Sequence, residues 1–563
     1  MIDDFENEFV NKQQKINATS DQYYLKQFNL DEEQRNETII SMSTSKKYIY
    51  FLTESHNLFV VDSVTLKTIS ESYSLPSPKE KSDFKEKNFN KIWPDREGNH
   101  CIIRHNNSIY YFNNSLKEAF ELEQFKTKEI CAVALDDKNT EIKTTKNFLA
   151  VDYNNTIYEC CIEVTNEGKN KKIKIKDKIE ELITLNQTSD EESSSSKKKH
   201  LNDRIYGMKF FHSIVSNIDQ NEDGCYIIAV SKNKLYQFRG PGLKSFKQIF
   251  SRYDGKQAES FKYFPENSNI FDVQFDILYK IEKTQNTEIL SEFGWRTYTG
   301  YCYSNFEYEK NNRTYLPSDF KNFTIIPFQK ITDKGKKEKN LNPISVVQSP
   351  NHIFILYDDC LTVISKLSSN IIHTQYFNTK FDQMLYHEFS KDNGIILLNS
   401  KNGLYQISLK EENRDIWKDY LELGDFKSAS KFCNSDKMKD KIRRINADEE
   451  FNKNRKESRK EAAEIYANSD EKFEIVCLKY LKEKDLEGLK YYLECYKKAN
   501  LKSNNDEENK ENENQRDKCL QLNLINTWII EIILHREKLE IKDFMVLVRE
   551  NKKYIYPDII YQT

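Results

Sequence analysis

The chain has 563 residues, with 86 Lys+Arg against 89 Asp+Glu and a net charge of −3. That balance argues against a groove built for nucleic acid, which needs a basic excess. Aromatics at 13% exclude the highly charged, aromatic-poor class that stays disordered. Glycine is scarce, at 14 residues, whereas asparagine reaches 54. An AT-rich coding bias produces the same skew, so it carries little functional weight.

No apolar run approaches the ~18 residues of a membrane-spanning helix, and the best, 528–534, is interrupted by Glu531. The acidic start Met1-Ile2-Asp3-Asp4-Phe5 offers no secretory signal core. The 11 cysteines are odd in number and show no Cys-x-x-Cys spacing. They are expected as reduced, buried or half-buried thiols of a cytosolic protein.

Between about residues 40 and 410, apolar residues come in short runs rich in Ile, Val, Tyr and Phe, such as 47–53 (KYIYFLT) and 225–230 (CYIIAV). This is the signature of strands. A hairpin unit recurs along the segment: a strand, a short Asn/Ser/Lys/Asp turn, then an aliphatic-aromatic pair. It appears at Ser55-His56-Asn57-Leu58-Phe59, Asn106-Asn107-Ser108-Ile109-Tyr110 and Asn154-Asn155-Thr156-Ile157-Tyr158. It returns at Lys232-Asn233-Lys234-Leu235-Tyr236 and Lys401-Asn402-Gly403-Leu404-Tyr405. Looser copies are Thr297-Tyr298-Thr299-Gly300-Tyr301 and Asp358-Asp359-Cys360-Leu361-Thr362. Asn and Asp suit these turns because they tolerate left-handed backbone.

Seven copies give a mean spacing of about 55 residues, against ~40–50 for a four-stranded propeller blade. Polar insertions at 76–90, 190–199 and 332–342 account for the excess. The pattern predicts a β-propeller of seven blades over residues 1–410. Any antiparallel sheet protein in an Asn-rich background also yields such hairpins. His100 and His105 flank one strand and are expected at its surface.

From about residue 411 the period changes to 3.6. Trp417, Tyr420 and Leu421 share a face, as do Phe473, Val476, Cys477, Tyr480 and Leu481. A third face holds Leu520, Leu524, Trp528, Ile529, Ile532 and Ile533. Gly424 ends one helix and Asp425 caps the next, whose apolar face is Phe426, Ala429 and Phe432. Residues 411–563 are therefore expected as an α-helical solenoid, with a disordered insertion at about 501–517.

The segment Arg414-Asp415-Ile416-Trp417-Lys418-Asp419-Tyr420-Leu421, followed by Phe426, Ala429 and Phe432-Cys433, resembles the start of the helical region in the vacuolar protein sorting 18 (Pep3/deep orange) family. Later blocks around Ala462-Ala463, Phe473 and Trp528 are similar, in the same order. In the strand-rich part, Phe293-Gly294-Trp295 with Gly300-Tyr301 resembles that family's paired strands. The residues that carry the resemblance as structural signature are Trp295, Gly300, Tyr301, Arg414, Asp415, Trp417, Tyr420, Leu421, Phe426 and Ala429.

The resemblance implies a propeller followed by an α-solenoid, acting as a non-enzymatic scaffold subunit of a class C vacuolar protein sorting tethering complex (HOPS or CORVET). It implies other class C subunits as partners, Rab GTPases and SNAREs indirectly, and peripheral association with late endosome, lysosome or vacuole membranes. The family also carries a longer solenoid and a RING-type zinc domain. No Cys/His spacing for such a domain is present here, so the chain is expected to correspond to the front part of a longer subunit.

No phosphate loop, nucleophile elbow or His-Glu-x-x-His pair occurs. No catalytic residue, metal ligand or cofactor is therefore assigned, and Trp295 and Trp417 are expected as core anchors. Two other readings stand beside the tethering scaffold. One is a coat- or nuclear-pore-type scaffold of the same plan. The other is a propeller hydrolase, which needs polar residues converging on the central channel.

Overall fold

The computed structural model describes residues 23–502, apart from short breaks and the longer stretches 29–36, 77–89, 186–203, 214–222, 254–258, 262–273, 318–322 and 332–338, plus a few positions between 524 and 549. The chain divides into two compact units, Met1–Glu412 and Asn413–Thr563.

The first unit is a seven-bladed β-propeller, each blade a four-stranded antiparallel sheet. Blade 1 holds Ile39–Thr44, Tyr48–Thr53, Asn57–Asp62 and Tyr73–Ser74; blade 2 holds Lys91–Pro94, His100–His105, Ser108–Asn113 and Glu118–Glu121. Blade 3 holds Ile130–Ala134, Phe148–Asp152, Thr156–Glu167 and Lys172–Thr184; blade 4 holds Ile205–His212, Asp223–Ser231, Leu235–Pro241 and Glu259–Phe261. Blade 5 holds Phe275–Glu282, Thr287–Arg296, Gly300–Asn305 and Thr324–Pro327; blade 6 holds Ser345–Gln348, His352–Leu356, Cys360–Ser365 and Ile371–Tyr376. Blade 7 holds Gln383–Ser390, Asn393–Ser400 and Gly403–Lys410, and is completed by Leu25–Gln27 from near the N-terminus.

Each of the seven recurring hairpins forms the turn between the second and third strand of one blade. His56, Asn106 and Asn155 sit there at φ of 64°, 52° and 61°, and Gly403 at 133°. Asparagine thus fills, in part, the turn positions where glycine is usual.

Both faces of every blade are covered, so the strands read as apolar runs rather than clean alternation. Seven apolar clusters each join two consecutive blades. Tyr50, Leu58 and Tyr110 link blades 1 and 2; Tyr226, Phe293 and Trp295 link blades 4 and 5; Phe51, Ile395 and Leu397 link blades 7 and 1. The last of these closes the ring.

His100 and His105 correct an expectation. Both are buried, because the second strand of a blade has neighbours on each side. His100 Nδ1 lies 2.7 Å from Tyr111 Oη and its Nε2 2.6 Å from the Glu141 carbonyl. The propeller unit also runs two residues past the expected 410. Glu412 is buried and takes hydrogen bonds from Ser349 Oγ, from Asn351 N at 3.2 Å and from His352 Nδ1 at 2.7 Å.

In the second unit, helices α1 (Ile416–Glu422) and α2 (Phe426–Phe432) form a short pair. α3 (Asp436–Asn452), α4 (Lys456–Ala467), α5 (Phe473–Lys482) and α6 (Leu486–Lys502) follow. Gly424 takes φ +74° between α1 and α2, and the Asp425 side chain accepts from Ser428 N at 3.1 Å. α4 packs on both α3 and α6, so Ala462 and Ala463 sit among Tyr466, Tyr480 and Tyr492. Small residues let the backbones approach while the tyrosines fill the layer. Leu501 and Lys502 of the tract 501–517 close α6, while the rest of that tract and the apolar face from Ile529 onward lie outside the described residues. Among those described, no helix is long and apolar enough to cross a membrane.

Candidate functional site

Polar side chains from several blades meet near the propeller axis, where the first strands of neighbouring blades lie against each other. Arg96, in the turn after the first strand of blade 2, forks onto Glu288 of blade 5, with Nη2–Oε1 2.6 Å and Nε–Oε2 3.1 Å. Its guanidinium lies 3.9 Å from the centre of the Tyr279 ring. Tyr279 donates to Asp137 Oδ2 at 2.9 Å, and Lys209 of blade 4 donates to Asp137 Oδ1. Blades 2 and 5 stand opposite in a ring of seven, so the network spans it.

Burial opposes charge on Arg96, yet the Glu288 carboxylate outweighs it and holds the guanidinium pKa above its ordinary value. Burial likewise opposes the Lys209 charge, and Asp137 overcomes it. Burial, with the Asp137 charge second, pushes Tyr279 up to about 12. Every charge named here is taken up by a neighbour. The arrangement can bolt blades together, but it holds no nucleophile–base pair poised for chemistry. Among the described residues, no cluster of His, Cys, Asp and Glu is placed to hold a metal ion.

The sequence-derived residues fall into two groups, one in each unit. In blade 5, Trp295 is buried and its Nε1 donates to the Ser231 carbonyl of blade 4 at 2.9 Å. Tyr301 is buried on the next strand and donates to Asp276 Oδ2 at 2.9 Å. Burial pushes the Asp276 carboxyl up to about 7. Gly300 leaves no room for a side chain: a Cβ there would lie 2.3 Å from the Ile326 carbonyl oxygen. Gly294 is tighter still, since its Cβ would lie 1.8 Å from Tyr301 Oη. The pair Gly294 and Tyr301 is therefore one packing solution.

In the helical unit, Trp417, Tyr420, Leu421 and Phe426 pack half-buried around buried Ala429, Cys433 and Ile442. Tyr420 stacks on Phe432 at 5.3 Å with ring planes 7° apart. Arg414 and Asp415 stay at the surface. Asp415 stands at the start of α1 without capping it by its side chain, and pairs with Lys418 at 2.8 Å and Arg414 at 3.2 Å. Burial works against its charge, but these cations keep its carboxyl below the usual range.

Two features escaped sequence reading. The axial residues Arg96, Asp137, Lys209, Tyr279 and Glu288 are scattered through four blades, and only strand register could have predicted their meeting. A cleft of about 530 Å³ opens between α2, α3 and α4, with Phe426, Ile442 and Ile465 apolar and Lys427, Arg443 and Glu464 charged in its lining.

The comparisons with known proteins follow the same division. A family model described as the Pep3/Vps18/deep orange β-propeller domain matches residues 24–409. A second, the first half of the VPS18 α-solenoid domain, matches residues 418–552. The chain is 23% identical to vacuolar sorting protein 18 of Arabidopsis thaliana over 83% of its own length and 43% of that protein's. It is 25% identical to the vacuolar protein sorting-associated protein 18 homolog of Danio rerio, over 55% of its own length and 29% of that protein's. The Drosophila melanogaster homolog is 24% identical, over 39% and 21%. The chain thus spans less than half the length of these relatives. With one family model covering its propeller and a second covering the helices that follow, the chain belongs to the Pep3/Vps18/deep orange family.

Proposed function

We propose that this chain is a non-enzymatic scaffold subunit of a class C vacuolar protein sorting tethering complex of the HOPS or CORVET kind. It binds other class C subunits directly and serves Rab GTPases and SNAREs through them. It works on the cytoplasmic side of late endosome, lysosome or vacuole membranes, held there peripherally, and uses neither cofactor nor nucleic acid.

The observation that carries this reading is the match to both family domains in the family's order, together with relatives named for vacuolar sorting. Two physical features favour it. A near-neutral surface suits protein partners better than phosphate backbones. The axial charges are also consumed pairwise. A hydrolase needs polar residues converging on the channel, and such residues are present. Their mutual pairing, not their absence, weighs against catalysis.

Affinity purification of the tagged chain from its own cells, read by mass spectrometry, tests the proposal. Stoichiometric recovery of other class C subunits is expected. Recovery of coat or nuclear-pore proteins in their place would sink it.

A further inference from the structure

Among the described residues, the outer strand of each blade is paired along one edge only, and its other edge is a template for pairing with another chain. Six of the seven outer strands carry a guard against such pairing. Blade 1 ends in only two residues, Tyr73–Ser74. Blade 2 carries Glu118 and Glu121, blade 3 carries Lys176 and Lys178, and blade 4 ends in only three residues, Glu259–Phe261. Blade 5 ends at Pro327, and blade 7 ends in three residues with Lys26.

Blade 6 differs. Its outer strand Ile371–Tyr376, sequence IIHTQY, has six residues, no Asp, Glu, Lys or Arg, and no proline. Ile371 is 55% exposed and Tyr376 75% exposed, the latter unusual for a large aromatic.

The register of this strand makes it self-complementary. Tyr376 pairs with Cys360, Thr374 with Thr362, His373 with Val363 and Ile371 with Ile364, so Ile372 is an extra, bulged residue. A bulge restores phase across an odd spacing. Ile371, Thr374 and Tyr376 therefore lie on one face. Two such strands placed antiparallel about a two-fold axis at Thr374 set Thr374 beside Thr374, and each Ile371 beside the other copy's Tyr376. Thr–Thr and aromatic–β-branched neighbours are favourable cross-strand pairs, worth ~0.2–1 kcal/mol each. His373 falls beside Gln375, so no like charges meet in the neutral strand.

We propose that two copies of this chain join edge to edge through blade 6, the strands Ile371–Tyr376 pairing antiparallel about Thr374. The pairing makes one continuous eight-stranded sheet from two four-stranded blades. It is an isologous interface, so it closes at two copies and builds no filament.

The register sets the test. At the two-fold axis the paired Cα atoms stand about 4.5–5.5 Å apart, within the ~4.4–6.8 Å span of a disulfide. Under mild oxidation, Thr374→Cys should cross-link the full chain into dimers, with the bond mapped to position 374 by peptide mass spectrometry. Tyr376→Cys faces Ile371 of the other copy and should not cross-link through position 376. In sedimentation across a wide concentration range, the wild type should show a concentration-dependent dimer, and I371K/Y376K should weaken it by at least about tenfold. Both positions are exposed, so an unchanged thermal melt will confirm that the variant folds. Equal cross-linking at 374 and 376, or a wild type that stays monomeric throughout, overturns the proposal. So does dimerisation that survives both lysines.

Discussion

Gly294 shows how a single hydrogen atom in place of a methyl decides local packing. A Cβ at that position would overlap Tyr301 Oη at 1.8 Å, and that tyrosine is fully buried and held by its bond to Asp276. Gly294→Ala should destabilise the protein by about 2–4 kcal/mol in urea titration. Gly424→Ala is the control: nothing lies within 4 Å of its Cβ, and only the φ of +74° is strained. It should cost about 1 kcal/mol. Equal losses would contradict the overlap.

Charge at buried sites predicts two opposed pH dependences. Burial raises Asp276 to about 7, whereas an unfolded aspartate titrates near ~4. Between those values the folded protein keeps a proton the unfolded chain has released, so stability falls as pH rises through the window and levels off above it. Burial, with the Arg96 charge second, lowers His387 to about 4. There the unfolded chain binds the extra proton, so stability falls as pH drops from ~6.5 toward 4. Asp276→Asn should shrink the first slope and His387→Gln the second, in urea melts at stepped pH. An unchanged slope in either variant would refute its assignment.

At the scale of elements, the seven hairpins do two jobs. Each turns the chain, and in several blades a side chain in the turn or in the strand leading into it also clasps the next blade. Asn155 combines both: its φ is 61°, and its Oδ1 accepts from Ile205 N at 2.9 Å, where blade 4 begins. Arg104 Nη1 reaches the Ile130 carbonyl of blade 3 at 2.6 Å, and Asn399 Nδ2 the Ile39 carbonyl of blade 1 at 2.7 Å. Asn106, at φ 52°, directs its Nδ2 to His105 of its own blade and, among the described residues, makes no such bond to the next blade. Asn155→Gly should therefore lose about 1–2 kcal/mol through the unsatisfied Ile205 N–H. Asn106→Gly should stay within ~0.5 kcal/mol of the wild type. Parity between them would mean that the clasp contributes nothing. These hairpins were legible in sequence because turn chemistry is local, fixed by residues that tolerate left-handed backbone. The clasps were not, since their partners lie dozens of residues away.

For the whole molecule, ring closure is the decisive contact. Leu25–Gln27 pairs with the third strand of blade 7, Lys26 standing opposite Gln406, and Phe28 N donates to the Leu404 carbonyl at 2.8 Å. A propeller without that strand keeps blade 7 open along one edge. Lys26→Pro should remove a ladder hydrogen bond and weaken the pairing, at a cost of about 1–3 kcal/mol. Hydrogen exchange should then accelerate first in Gly403–Lys410. Loss of protection spread evenly over all blades would argue against a local closure.

The sequence alone determined the propeller, the helices after it, the change of period between them, and the turn in every blade. These follow from hydrophobic periodicity and turn chemistry, which act over a few residues. Trp295 and the apolar helix face holding Ala429 were also legible as core, whereas Trp417, expected as a second core anchor, is only half-buried. Only tertiary structure decided that His100 and His105 are buried, that Arg96 meets Glu288 across the ring, that Glu412 belongs to the propeller, and that blade 6 keeps an unguarded edge. Each depends on which strands become neighbours. That is set by the closure of the ring, and no local pattern encodes it.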